Sequence, residues 1–314
     1  MKIIQCSASS ISRYLHCQFS YFLHYILGKE TKAGKAALQG SIVHQTLEWM
    51  GKLRKRGKVN IDPMWLLNRA WDELTIKSPE IEIRRTTTRI NKWTGELKEA
   101  ADFKKCRIAL ETVLADPFYN PYKLTVLDAE QWFALEMPDT EWQCLDENGE
   151  LCQFTARGFI DLINEIDENT IEICDWKTGS RKDFYTQESV DEMSLTQNIQ
   201  ARLYHLAAYF LYPKYKNILT TFYYTNDGGP ITVAFSENDL ETTIAILYKF
   251  FITVKQDILI HRNRSWRCKM CSFNKDDVCN RIWSDFCRKG VNYVKNRYGK
   301  LMDKEQSVIG KSKK

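Results

Sequence analysis

Near the middle of the chain two apolar-rich segments, Phe159 to Ile166 and Ile171 to Trp176, are parted by the polar triplet Asp167, Glu168 and Asn169. Short apolar runs bounded by turn-forming residues predict two strands joined by a tight turn, a β-hairpin. Strand side chains alternate, so Asp175 and Lys177 share one face, while Cys174 and Trp176 take the other. On the neighbouring strand Arg157, Phe159, Asp161 and Ile163 share a face, and pairing in register brings Asp161 beside Asp175. Two carboxylates and one lysine then converge.

Elsewhere the pattern is mostly helical. Ser-rich capping candidates from Ser7, followed by Leu15, Phe19, Phe22, Leu23 and Ile26, predict one amphipathic helix from Ser7 to Leu27. A second helical pattern runs from Ala36 to Arg54 and contains G-S-I-V-H, Gly40 to His44. Asp62 to Leu114 reads as further helices, interrupted by the basic residues Arg84, Arg85, Arg89 and Lys92. A solvated face is one account of those charges, and a strand-guiding surface is the other. Leu124 to Met137 is strand-like, with Glu136 near its end left outside the candidate site.

After the hairpin, Arg181 to Glu192 is a polar loop. Leu195 to Leu211 is predicted helical, with Ile199, Leu203, Leu206, Ala207 and Phe210 as its buried stripe. Gln200 and Tyr204 then sit one turn apart on an adjacent face. Leu219 to Thr225 and Pro230 to Phe235 read as strands around the turn 226–229, and Ser236 with Asp239 as a capping box opening a helix to about Leu259. From Gly290 onward the chain is basic and poor in apolar residues, a solvated tail.

Composition narrows the class. A chain of 314 residues with 44% hydrophobic content has ample material for a packed core. No apolar run reaches the roughly 18 residues that a bilayer crossing needs, and the N-terminus lacks a signal peptide's apolar region, which predicts a soluble cytoplasmic protein with no membrane partner. The net charge of +5 permits a polyanionic partner without requiring one. The segment Gly28 to Lys35 invites comparison with a P-loop, but its glycines are misspaced and Ala36 stands where a Ser or Thr is needed, so no ATPase motor is predicted.

Two close carboxylates repel unless something neutralises them. Oxygen-rich sets suit Mg²⁺ or Mn²⁺, so a divalent cation is the implied partner of Asp161 and Asp175. Lys177 is placed to orient a water or to stabilise charge on a phosphate, the equipment for phosphodiester hydrolysis. A solvated hairpin with one surface ion pair is the plainer reading of the same spacing.

Ten cysteines without an export signal are read as buried thiols or ligands before disulfides. Cys268, Cys271 and Cys279 form C-x2-C-x7-C, in which two thiolates two residues apart can hold one metal and a further ligand is wanted. Cys17 or Cys287 can supply it; with Cys287 the set is local and a zinc site is plausible.

The residues G-F-I-D (Gly158 to Asp161) and D-W-K-T-G (Asp175 to Gly179) together resemble the catalytic core of the PD-(D/E)XK nuclease superfamily, in particular its RecB-like branch. Ile160 stands where the superfamily name has proline. Gly40 to His44 matches the branch's G-x-x-x-H, Gln200 to Tyr204 its Q-x-x-x-Y, and Cys17 with the C-terminal cysteines the pattern of its iron-sulfur members, similar to exonucleases of the AddB and CRISPR-adaptation type. Those members usually follow the first cysteine with proline, where this chain has Gln18.

The resemblance implies an α/β fold, a restriction-endonuclease-like mixed sheet flanked by helices. A helical N-terminal region of residues 1–35 would contribute to a cysteine module at 261–290. The nuclease core would span 36–260 with a helical insertion at about 60–120, and a basic tail would cover 291–314. It also implies that His44, Asp161, Asp175 and the backbone carbonyl of Trp176 hold Mg²⁺ or Mn²⁺, that Lys177 positions the attacking water, and that Gln200 and Tyr204 hold DNA. Cys17, Cys268, Cys271 and Cys279 would bind a 4Fe-4S cluster joining the chain ends, with zinc as the alternative metal. The implied activity is exonucleolytic cleavage of single-stranded DNA or duplex ends, in recombination, repair or replication, with a helicase or recombination protein as a possible associate. The competing class is a non-catalytic DNA-binding or recombination-partner subunit of the same fold.

Overall fold

The computed structural model describes residues 5–299 except 32, 92, 147–148, 184–186, 256–259 and 276. Lys92, residues 300–314 of the basic tail and the predicted end of the helix at Leu259 lie outside the described residues. The chain divides into two units: one takes residues 33–138 and 155–249, the other the N-terminal 32 residues, 139–154 and 250 onward.

In the first unit the predicted hairpin forms the centre of a sheet. Its strands are β1 Val126–Glu136, β2 Thr155–Asp167, β3 Thr170–Lys177, β4 Asn217–Tyr224 and β5 Gly229–Ala234, adjacent in that order. β1, β2 and β3 pair antiparallel, β3 and β4 parallel, and β4 and β5 antiparallel. A parallel pair needs a crossover, which the helix Ile199–Leu211 supplies between β3 and β4. All of β3 except its two end residues is buried, as expected of a strand covered on both faces.

Three helices, α1 Lys35–Lys55, α2 Pro63–Lys77 and α3 Ala101–Ala115, cover one face. Leu47, Met50, Leu67 and Leu110 pack there against Leu162, Cys174 and Trp176, the away-facing residues of the hairpin. α1 approaches the sheet closely at Gly51, where a Cβ would stand 2.9 Å from the Ala129 Cβ and 3.1 Å from the Leu162 Cδ1. The helix Ile199–Leu211, α4, covers the opposite face, with Tyr204, Ala207 and Ala208 against Ile163, Ile171 and Ile173.

Three sequence expectations change here. The helix predicted from Leu195 is two pieces, Glu192–Thr196 and α4, because the Asn198 side chain accepts hydrogen bonds from the N–H groups of Gln200 and Ala201 and starts a new helix. Phe210, placed in the buried stripe, is 55% exposed, since burial spreads around the α4 segment Ala201–Ala208 and ends before it. The basic stretch within the predicted helical region is a two-stranded ribbon, Thr86–Ile90 with Leu97–Glu99.

In the second unit the single N-terminal helix is broken at Cys17, which is extended (φ −159°, ψ 101°) between Ala8–His16 and Gln18–Tyr21. The Phe19 N–H, which a continuous helix would give to Leu15, goes to the His261 carbonyl at 3.0 Å. His261 N–H donates in turn to Gln18 Oε1 at 2.9 Å, and Asn263 Nδ2 to the His16 carbonyl at 3.0 Å. The residues around 17 and around 262 are thereby tied together by hydrogen bonds, and Cys17 and Ile260 pack against one shared apolar cluster. A π-helical turn, Phe22–Ile26, continues the segment, and a small hairpin, Gln143–Leu145 with Leu151–Gln153, belongs to the same unit.

Candidate active site

The hairpin register sets the site. Leu162 pairs with Cys174, so Asp161 lies level with Asp175 one step further along, and Trp176 N–H donates to Asp161 Oδ2 at 2.9 Å. Strand alternation puts Asp175 and Lys177 on one face, where Lys177 Nζ lies 2.5 Å from Asp175 Oδ2. α1 adds His44, whose Nδ1 stands 3.2 Å from Asp161 Oδ2.

α4 completes the arrangement from the other side. Gln200 Nε2 donates to Asp175 Oδ1 at 3.0 Å, Gln200 Oε1 accepts from Lys177 Nζ at 2.8 Å, and the Tyr204 hydroxyl donates to Asp175 Oδ1 at 3.1 Å. Lys177 also lies 4.3 Å above the Phe222 ring. The helical i, i+4 spacing read from the sequence thus brings both α4 residues onto Asp175, and Gln200 onto Lys177 as well.

The titration behaviour follows from burial and pairing. Asp175 is 2% exposed, and burial raises its carboxyl despite the adjacent Lys177, with Asp161 adding to the rise. Burial also acts to raise Asp161, but the hydrogen bond and charge of His44 and the Trp176 N–H outweigh it, leaving it low. For His44 burial favours the neutral ring, yet Asp161 prevails and holds it above the ordinary value.

Sequence reasoning missed one acid. Glu130 on β1 lies between the pairs Ala129 with Leu162 and Gln131 with Ile160, level with Asp161. Acids therefore occur at one level on three adjacent strands. Glu130 adopts a left-handed backbone (φ 54°), and burial followed by repulsion from Glu48 and Asp161 pushes its carboxyl up to about 7. With His44, Glu48 and Asp161 it lines a cavity of about 490 Å³. Glu136, the acid considered from the sequence, pairs with Thr155 at the distant end of the strand. Only the β1–β2 register distinguishes the two.

Each carboxylate also has a basic neighbour of its own, Lys177 beside Asp175 and His44 beside Asp161. Among the described residues no group of three or more His, Cys, Asp or Glu side chains is gathered as metal ligands. The donor chemistry, two carboxylates and an imidazole with a raised, buried Asp175, still suits a hard divalent ion.

Residues 5–280 match the PD-(D/E)XK nuclease superfamily. The chain belongs to that superfamily. No curated protein matches the sequence. Among solved structures, a chain from Eubacterium rectale named as a "putative exonuclease" is similar with a TM-score of 0.50 and 15% identity, covering 88% of each chain, a likeness of fold. Members of this superfamily generally use divalent metals such as Mg²⁺ or Mn²⁺. No helix among the described residues is long and apolar enough to cross a membrane.

Cys17, Cys268, Cys271, Cys279 and Cys287 lie in the other unit of this nuclease chain. Cys17, Cys271 and Cys279 pack in one cluster with Phe19, Phe22, Phe273 and Ile282. Burial raises the Cys279 thiol, Arg262 opposes the rise, and Cys17 and Cys271 add to it. Cys268 is half-buried and its Sγ lies 3.9 Å from the Asn263 carbonyl. Cys287 is exposed and outside the cluster.

Proposed function

We propose that the protein is a divalent-cation-dependent deoxyribonuclease of the RecB-like branch, acting as an exonuclease on single strands or duplex ends. The observation that carries this reading is the convergence of His44, Asp161, Asp175 and Lys177 on two adjacent strands and one helix. His44, Asp161, Asp175 and the Trp176 carbonyl would hold Mg²⁺ or Mn²⁺, which supplies Lewis-acid stabilisation of charge on the phosphate.

Lys177 would orient the attacking water. Its amine is steered by Gln200 Oε1 and the Phe222 ring, so its position is fixed from two directions. Gln200 and Tyr204, by bonding Asp175 Oδ1, would keep one carboxylate oxygen occupied and the carboxylate plane set. In the other unit Cys17, Cys268, Cys271 and Cys279 would bind a 4Fe-4S cluster. The shared packing of three of these thiols supports that assignment.

A time course on 5′- and 3′-labelled DNA with Mg²⁺, with Mn²⁺ and with chelator tests the activity. Degradation from an end that needs the metal and disappears in Asp175→Ala supports the reading, and activity surviving in cleanly purified Asp175→Ala refutes it. Anaerobically purified protein that is colourless and iron-free removes the cluster while leaving the nuclease assignment intact.

A further inference from the structure

The ribbon Thr86–Ile90 with Leu97–Glu99 has no role in the core. Among its described residues all but Thr87 and Asn91 are exposed, so both of its faces meet solvent. At its turn Trp93 is 96% exposed, and its backbone N–H donates to Asn91 Oδ1 at 3.0 Å. Tryptophan is among the residues that folding usually buries for the most part, and here its ring covers nothing. The exposed cross-strand pair Ile90 and Leu97 extends the apolar surface below it.

Charge identifies the occupant. Residues 84–99 hold five basic side chains, Arg84, Arg85, Arg89, Lys92 and Lys98, against two acids, Glu96 and Glu99, the second of which is paired with Arg107. Arg84 and Arg85 are paired with Glu82 and Asp72, whereas no ion pair engages Arg89 or Lys98 among the described residues. An exposed indole flanked by uncompensated cations fits a strand whose bases stack and whose backbone is anionic.

The root of the ribbon is anchored to the helix that carries His44. Asp102 accepts from Arg84 N–H at 3.1 Å and from Gln39 Nε2 at 3.0 Å, tying the ribbon to α1. Gln39 precedes His44 by five residues, about 8 Å along the helix axis. Arg85, lying over the Phe103 ring and bonded to Asp72, fixes the base further. Five strand residues then carry the turn about 17 Å from that root.

We propose that this ribbon is a stacking pin for single-stranded nucleic acid, with Trp93 against a base and Arg89 and Lys98 against the backbone of the strand entering the site. The inference rests on the nuclease reading and adds a substrate contact remote from the reacting phosphate.

Binding of a labelled single-stranded oligonucleotide of about 20 nucleotides to the full chain, in chelator to prevent turnover, tests it. Trp93→Ala weakens binding about 5- to 30-fold with an unchanged melting temperature, while Trp93→Phe stays within about 3-fold, because base stacking tolerates any aromatic ring. Arg89→Ala and Lys98→Ala each reduce the slope of log affinity against log salt by about 0.7. Trp93→Ala binding as tightly as the wild type overturns the proposal, as does a variant that alters only self-association. Cleavage of a trinucleotide, spanning about 10 Å and too short to reach the pin, tests the nuclease reading separately. Wild type cleaving it while Trp93→Ala keeps full affinity for the longer strand overturns the pin alone, and Trp93→Ala cleaving it at the wild-type rate while losing that affinity supports the pin.

Discussion

Lys177 Nζ and Asp175 Oδ2 stand 2.5 Å apart, with the carboxylate almost wholly buried and the amine partly open to solvent. The lysine therefore serves as the buried acid's own counter-ion. A divalent ion bound by Asp175 would share that charge with the amine, so removing the lysine is informative without substrate. Lys177→Met should lower stability in chelator by about 3 kcal/mol, the cost of stranding a buried charge. Mg²⁺ should then raise the melting temperature of Lys177→Met by more than that of the wild type. Thermal unfolding of both proteins with and without the ion checks this, and equal ion effects would count against metal binding at Asp175.

Tyr204 and Gln200 both bond Asp175 Oδ1, so their removal should affect the reaction step more than strand affinity. Tyr204→Phe should cost about 1 kcal/mol of stability, a typical hydrogen-bond contribution. It should also lower kcat with little change in KM. A rise in KM alone would instead assign the pair to holding DNA.

Close approach at the site makes Gly40 sensitive. A Cβ there would lie 2.9 Å from Thr178 Oγ1, directly after the Asp175–Lys177 pair. Gly40→Val forces α1 from the Thr178 segment and should cost about 1–3 kcal/mol, the usual range for overpacking. Denaturant melts measure the loss, and nuclease assays on the folded fraction should show reduced turnover.

Acid sensitivity has a specific source in His205. Burial depresses this imidazole to about 4; Asp239 opposes the shift and Arg202 reinforces it, and the ring lies beside Phe235. Because the folded value lies below the ordinary 6.5, the unfolded chain takes up the proton first as pH falls. The contribution is complete above 6.5 and lost as pH falls from there through 4. His205→Leu should remove about 3 kcal/mol of the acid dependence in that window, measured as the difference between the two pH–stability curves.

Local rules made much of the site legible. The two-residue repeat of a strand put Asp175 and Lys177 on one face, a short polar turn put Asp161 beside them, and i, i+4 spacing joined Gln200 to Tyr204. Those relations are internal to one hairpin or one helix turn, so the sequence carries them whatever surrounds it.

Relations between distant segments needed the tertiary structure. Glu130 rather than Glu136 reaches the site because the β1–β2 register aligns it with Asp161. The helix expected through Cys17 breaks because a segment more than two hundred residues later takes the hydrogen bond that would have continued it. Charge balance was likewise a tertiary matter, since His44 arrives on α1 to pair with Asp161. Periodicity fixes which side of an element a residue faces; packing and register decide which partner it meets there.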